Sequence, residues 1–165
     1  MIPNQSTLLL SGIPATGKSA FAKHLVGKWD FVHYDLESYP DGWPQSGREE
    51  EYRLWGTDRR VFVSSITQKY DRIVLDWGFP VPYLGWIQEL QAAGVKLVWF
   101  DGDTHRAREN FIRRGKGNVH DFDRQVEQIQ LARFPDALRD CTILKSLSSQ
   151  GKFLSFASLE RLVFH

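Results

Sequence analysis

Residues 12–19, Gly12-Ile13-Pro14-Ala15-Thr16-Gly17-Lys18-Ser19, follow directly on the apolar run Thr7-Leu8-Leu9-Leu10-Ser11 and match the phosphate-binding pattern G-x-x-x-x-G-K-[ST]. Such a loop works in one local setting: a buried strand, a tight turn whose backbone N–H groups face an anion, and a helix whose positive N-terminus points the same way. The sequence supplies each part. Ala20-Phe21-Ala22-Lys23-His24-Leu25-Val26 reads as the helix, and Gly12 and Gly17 permit backbone conformations and close approach that a side chain would block. Lys18 is expected to reach the β- and γ-phosphates of a nucleoside triphosphate and Ser19 to offer its hydroxyl to Mg²⁺, with Ala15, Thr16, Gly17 and Ala20 completing the nucleotide contacts. The competing reading is a glycine turn with an exposed lysine.

The chain has 165 residues, enough for one domain with a real core, and 1–165 is expected to fold as one unit. Its net charge is +1 with acids and bases interspersed, which argues against a strong nucleic-acid or membrane-surface field and leaves nucleic acid a disfavoured partner. Met1-Ile2-Pro3-Asn4-Gln5-Ser6 carries no charged leader and the following apolar run is too short to span a bilayer, so a cytoplasmic location is expected. The single cysteine, Cys141, has no partner for an internal disulfide, and its apolar surroundings read as packing. The five histidines show no metal-ligand spacing, and no zinc site is expected.

Short apolar runs at 7–11, 31–35, 72–76, 95–100 and 141–144 alternate with helical patterns, as βαβ units with a mainly parallel, covered sheet do. Tyr52, Trp55, Phe62, Ile66 and Tyr70 give a helical region an apolar face, with a kink or split expected at Trp55-Gly56-Thr57-Asp58. A shorter helix starts near Pro82, carries Tyr83, Ile87 and Leu90 on one face, and stops at Gly94. Two further helices, 104–114 and 122–133, flank a glycine-rich interval at 115–120 read as mobile, and 156–164 reads as a terminal helix.

Open α/β sheets place ligands at the C-terminal ends of their strands. Two of those ends finish in acids. Ile73-Val74-Leu75-Asp76 has the form of an apolar strand leading to a metal-holding carboxylate, which makes Asp76 the partner of Ser19 in a Mg²⁺ site. Phe31-Val32-His33-Tyr34-Asp35-Leu36-Glu37 places Asp35 where a carboxylate takes the proton of an attacking hydroxyl, with Glu37 as the neighbouring alternative. For each acid, a turn residue or helix cap is the structural alternative. The run Arg106 to Lys116 precedes the glycine-rich interval and has two readings. Either it is a solvated charged face, or its arginines, Arg114 first and then Arg113, ride on a lid closing over the nucleotide.

Taken together, these positions resemble the small P-loop kinases of the nucleoside, gluconate and shikimate kinase type, in particular the zeta-toxin and polynucleotide-kinase branch. The likeness rests on the loop at Gly12–Ser19, on Asp35, on Val74-Leu75-Asp76-Trp77-Gly78-Phe79, and on Trp99-Phe100-Asp101-Gly102-Asp103 followed by Arg113-Arg114-Gly115. It spans roughly residues 6–133 and is strongest at the loop. The resemblance implies a three-layer α/β/α P-loop fold with a five-stranded parallel sheet in the order 2-3-1-4-5, and a helical lid at about 104–121. It also implies ATP as donor, Mg²⁺, a hydroxyl on a small molecule as acceptor, and catalytic roles for Lys18, Asp35 and Arg114. Two departures are visible. A second lid arginine common in the group is replaced by Asn110, and the arginine that often follows the second-strand acid is absent from Leu36-Glu37-Ser38-Tyr39-Pro40. Arg48, Arg53, Arg59 and Arg60 are candidates to compensate, and Tyr39, Trp43, Arg53, Trp55 and Trp77 are candidate acceptor-site walls, with core packing as the alternative for the tryptophans. A 5′-hydroxyl polynucleotide kinase and a slow nucleotide-dependent switch are the alternative functions.

Overall fold

The computed structural model describes residues 1–78 and 80–165; Phe79, which closes the third-strand segment of the resemblance, lies outside the described residues. Five strands, β1 (Ser6–Gly12), β2 (Val32–Asp35), β3 (Arg72–Asp76), β4 (Lys96–Gly102) and β5 (Cys141–Leu147), form one all-parallel sheet in the order β2-β3-β1-β4-β5. Among the described residues they alternate with seven α-helices: α1 (Lys18–Trp29), α2 (Arg48–Thr57), α3 (Arg59–Thr67), α4 (Leu84–Ala92), α5 (Thr104–Arg114), α6 (Val119–Leu131) and α7 (Phe156–Phe164).

The alternation of side chains along each strand divides the core between the two faces of the sheet. Leu8 and Leu10 of β1 pack with Phe21 and Leu25 of α1 and Leu159 and Val163 of α7, whereas Leu9 joins Phe62, Ile66, Ile87 and Leu90 of α3 and α4. A third cluster, Trp99 with Ala107, Phe122, Ile129 and Phe134, seats the α5–α6 hairpin on the sheet. No helix among the described residues is long and apolar enough to cross a membrane.

Three boundaries have clear local causes. The helical region after β2 is split at Asp58, whose side chain accepts from the N–H groups of Arg60 and Val61 and so caps α3 while ending α2. The interval expected to run over 115–120 is shorter, because Asn118 caps α6 by accepting from His120 N–H and draws Val119 and His120 into that helix. Gly115 ends α5 in the left-handed conformation, as glycine does at a helix C-terminus.

A buried polar network braces the helices after β2. The Tyr34 hydroxyl donates to Glu51 Oε2 at 2.6 Å, and Lys69 Nζ reaches Glu51 Oε1, also at 2.6 Å. Burial and the Glu51 carboxylate push the Tyr34 phenol far above its ordinary pKa, so it stays a donor.

Candidate active site

The phosphate loop occupies the turn between β1 and α1. Gly12 stands at φ 130°, and a Cβ there would lie 2.2 Å from the Phe100 carbonyl oxygen, so only glycine lets β1 run this close to β4. Gly17 precedes α1 in the left-handed region at φ 100°, and Ala15 is also left-handed at φ 60°. Thr16 is fully buried and its hydroxyl donates to the Ile13 carbonyl at 2.7 Å, closing the loop on itself. The first turn of α1 keeps its N–H groups without a side-chain cap, the arrangement that receives an anion.

Lys18 folds back over the loop, donating to Ile13 O at 2.9 Å and Gly12 O at 3.5 Å. Burial lowers its pKa to about 8, an effect opposed by the Asp76 and Glu37 carboxylates and reinforced by Arg114. The Ser19 hydroxyl donates to Asp76 Oδ2 at 2.8 Å, joining the head of α1 to the end of β3. His33 Nε2 lies 3.5 Å from the same Asp76 oxygen. A hydroxyl and a carboxylate side by side form a hard-oxygen donor set, which fits Mg²⁺ in a nucleotide site where phosphates and water complete the shell.

Asp35 and Glu37 stand opposite this pair because β2 and β3 run in register, Asp35 beside Asp76. Asp35 Oδ1 accepts from Glu37 N–H at 3.1 Å, and Glu37 Oε1 accepts from Gly78 N–H at 3.2 Å. Burial and then the neighbouring Asp35 carboxylate raise the Glu37 pKa. Lys18, Ser19, Asp35, Glu37, Asp76 and Arg114 all line one cleft of about 210 Å³, together with Ala15 and Gly17 of the loop. Arg113 is exposed and outside that lining, and Asn110 Nδ2 is buried without a hydrogen-bond partner among the described residues.

No protein-family model matches the chain, and no curated protein matches it in sequence. Solved structures do match in three dimensions. A gluconokinase from Sinorhizobium meliloti 1021 superposes with a TM-score of 0.55 at 12% identity, over 98% of this chain and 90% of that one. Shikimate kinase from Acinetobacter baumannii, in complex with shikimate, gives 0.57 at 11% identity over 95% and 89%. A putative kinase from Chloroflexus aurantiacus j-10-fl gives 0.56 at 16% identity over 97% and 94%. The chain has the fold of the small P-loop kinases.

Within this P-loop kinase fold, several expected positions fall elsewhere. Trp43, Trp55 and Trp77, considered as acceptor-site walls, are at most 8% exposed and belong to the core. Trp55 meets Trp77 and Trp86 edge to face, a packing use of the large rings. Tyr39 stacks on Tyr52 at 3.9 Å instead of facing the cleft. Arg53 grips Glu50 on the exposed side of α2, and Arg59 pairs with Glu89 over the Trp86 ring.

The kinase fold also assembles a surface the sequence reading left unnamed. Beside Gly17 and Ala20 lies a pocket of about 290 Å³ lined by Thr16, Ser146, Phe153, Leu154 and Phe156, and almost wholly apolar. The Phe153 ring sits 3.6 Å from where a Gly17 Cβ would be. In the sequence its signal is the apolar group Phe153, Leu154 and Phe156 a few residues beyond β5.

Proposed function

We propose that this chain is an ATP- and Mg²⁺-dependent phosphotransferase that moves the γ-phosphate of ATP to a hydroxyl group of a small molecule. The observation that carries this reading is one cleft in which the acids Asp35 and Glu37 face the phosphate loop, Lys18 and the Ser19–Asp76 pair.

In this mechanism the loop amides and Lys18 hold the phosphates, and the apolar pocket under Phe153 takes the flat base. Ser19 and Asp76 would hold Mg²⁺, which when bound neutralises charge on the phosphate oxygens. Asp35 accepts the acceptor's hydroxyl proton as that oxygen bonds to the γ-phosphorus and the bond from phosphorus to the β–γ bridging oxygen breaks, releasing ADP. Arg114 donates to the equatorial oxygens of the group in transfer.

The test is ADP release from Mg-ATP by wild type, Lys18→Ala and Asp35→Asn over pooled sugars, amino sugars, cyclitols, nucleosides and 5′-hydroxyl oligonucleotides. A phosphotransferase shows an acceptor-dependent rise that both variants lack, while Asp35→Asn still binds ATP. A rate indifferent to every pool and to Asp35→Asn would replace the proposal with a nucleotide switch.

A further inference from the structure

The acceptor end of the cleft is built from acids pressed against glycines. A Cβ on Gly78 would fall 2.5 Å from Glu37 Oε1, and one on Gly42 would fall 2.7 Å from the Asp35 Cβ. Both glycines therefore let a carboxylate sit where any other residue would displace it. Backbone bonds fix the two acids further: Asp35 N–H donates to Gly42 O at 2.9 Å, and Gly78 N–H holds Glu37 Oε1. One oxygen of each carboxyl is engaged by an amide, Asp35 Oδ1 by Glu37 N–H and Glu37 Oε1 by Gly78 N–H.

Among the described residues the one arginine lining the cleft is Arg114, which the mechanism above gives to the group in transfer. Arg48 donates to the Pro40 carbonyl, while Arg53 and Arg59 are paired with Glu50 and Glu89. The cation nearest in influence is Lys18, which the loop carbonyls hold at the phosphate end and which bound phosphates would take over. With nucleotide engaging Lys18 and Arg114, and Mg²⁺ held by Ser19 and Asp76, the half-buried Asp35 and the exposed Glu37 are left as two adjacent carboxylates without a cation of their own. An acidic acceptor would need a guanidinium here, whereas an ammonium next to a hydroxyl supplies what the site lacks.

Resting on the phosphotransferase reading above, we propose that the acceptor is an amine-bearing alcohol of the amino-sugar or aminocyclitol class, its ammonium bound by Glu37 and its neighbouring hydroxyl presented to Asp35. Glu37 is then the residue that selects the acceptor by charge.

The experiment measures ADP release by the full chain with Mg-ATP and matched alcohols that differ in charge. These are glucosamine, N-acetylglucosamine, glucose and gluconate, with 2-deoxystreptamine against myo-inositol. The amines alone should raise the rate, and Glu37→Gln should raise the KM for the amine about tenfold or more, the worth of a charge-assisted bond, with kcat changed far less. Glu37→Asp, which keeps the charge, should recover part of that loss. Stimulation by glucose, inositol or gluconate that Lys18→Ala abolishes overturns the cationic acceptor and leaves the phosphotransferase standing. Equal KM values in wild type and Glu37→Gln also overturn it. No stimulation by any amine does the same, and if ATP turnover is then indifferent to Lys18→Ala, the phosphotransferase reading falls as well.

Discussion

The hydroxyl of Ser19, the second residue of α1, donates to Asp76 Oδ2 at the end of β3 across 2.8 Å, although the two residues are 57 positions apart in the chain. This bond ties the phosphate loop to the neighbouring strand and sets two hard oxygens side by side. Ser19→Ala and Asp76→Asn are each expected to lower kcat/KM for Mg-ATP by about 100-fold, and to raise the Mg²⁺ concentration needed for half-maximal rate. Mg²⁺ titrations of initial rate check this, and unchanged Mg²⁺ dependence in both variants would remove the pair from the metal site.

Lys18 supplies a pH prediction. Its pKa is lowered to about 8 by burial, so in the free protein it loses its proton as pH rises past that value. Phosphates need the ammonium, so nucleotide binding takes up a proton, and affinity should weaken by about tenfold per unit of pH above 8. Calorimetric titration with a non-hydrolysable ATP analogue between pH 7 and pH 9.5, about the range that brackets the shift, reads both affinity and proton uptake. Lys18→Ala should bind weakly and without this slope.

In the proposed mechanism the Phe153 pocket takes the base while the loop takes the phosphates. Removing the ring in Phe153→Ala should weaken ATP binding by about tenfold, the scale of one base–aromatic stacking contact, and leave inorganic triphosphate binding unaltered. Equal losses for both ligands would mean that the loop had been disturbed and that the pocket does not take the base.

Glu160 locks α7 to α1. Burial alone would raise its pKa, but bonds from Trp29, His24 and Lys28 outweigh that and hold it at about 2. Because the folded value lies below the ordinary 4.5, the stabilisation is fully present above that pH and is lost as pH falls towards 2. Glu160→Gln should cost about 2 kcal/mol at neutral pH, seen as a lower Tm, and the gap from wild type should narrow in melts at acid pH. A gap that stays constant down to acid pH would mean that the charge is not what stabilises the contact.

By itself the sequence determined the local pieces. Gly12 to Ser19 carried the loop, because its glycines and its lysine serve a backbone geometry that only neighbouring residues create. The five apolar runs carried the strands, and the resemblance supplied their order, since the spacing of βαβ units limits but does not set which strands adjoin. What only the tertiary structure decided was which distant groups meet. Asp35 faces Asp76 because β2 and β3 pair in register, and Glu37 reaches Gly78 because a missing Cβ leaves room. Trp43, Trp55 and Trp77 left the acceptor site for the core because aromatic rings gain more from burial against one another than from lining a polar cleft, a balance that depends on neighbours no local window contains. The apolar pocket of Phe153, Leu154 and Phe156 exists only where the segment after β5 folds back beside Gly17. Periodicity and motif spacing report what a residue does to its own segment, whereas charge pairing and ring packing are set by residues far along the chain, and those relations made the site.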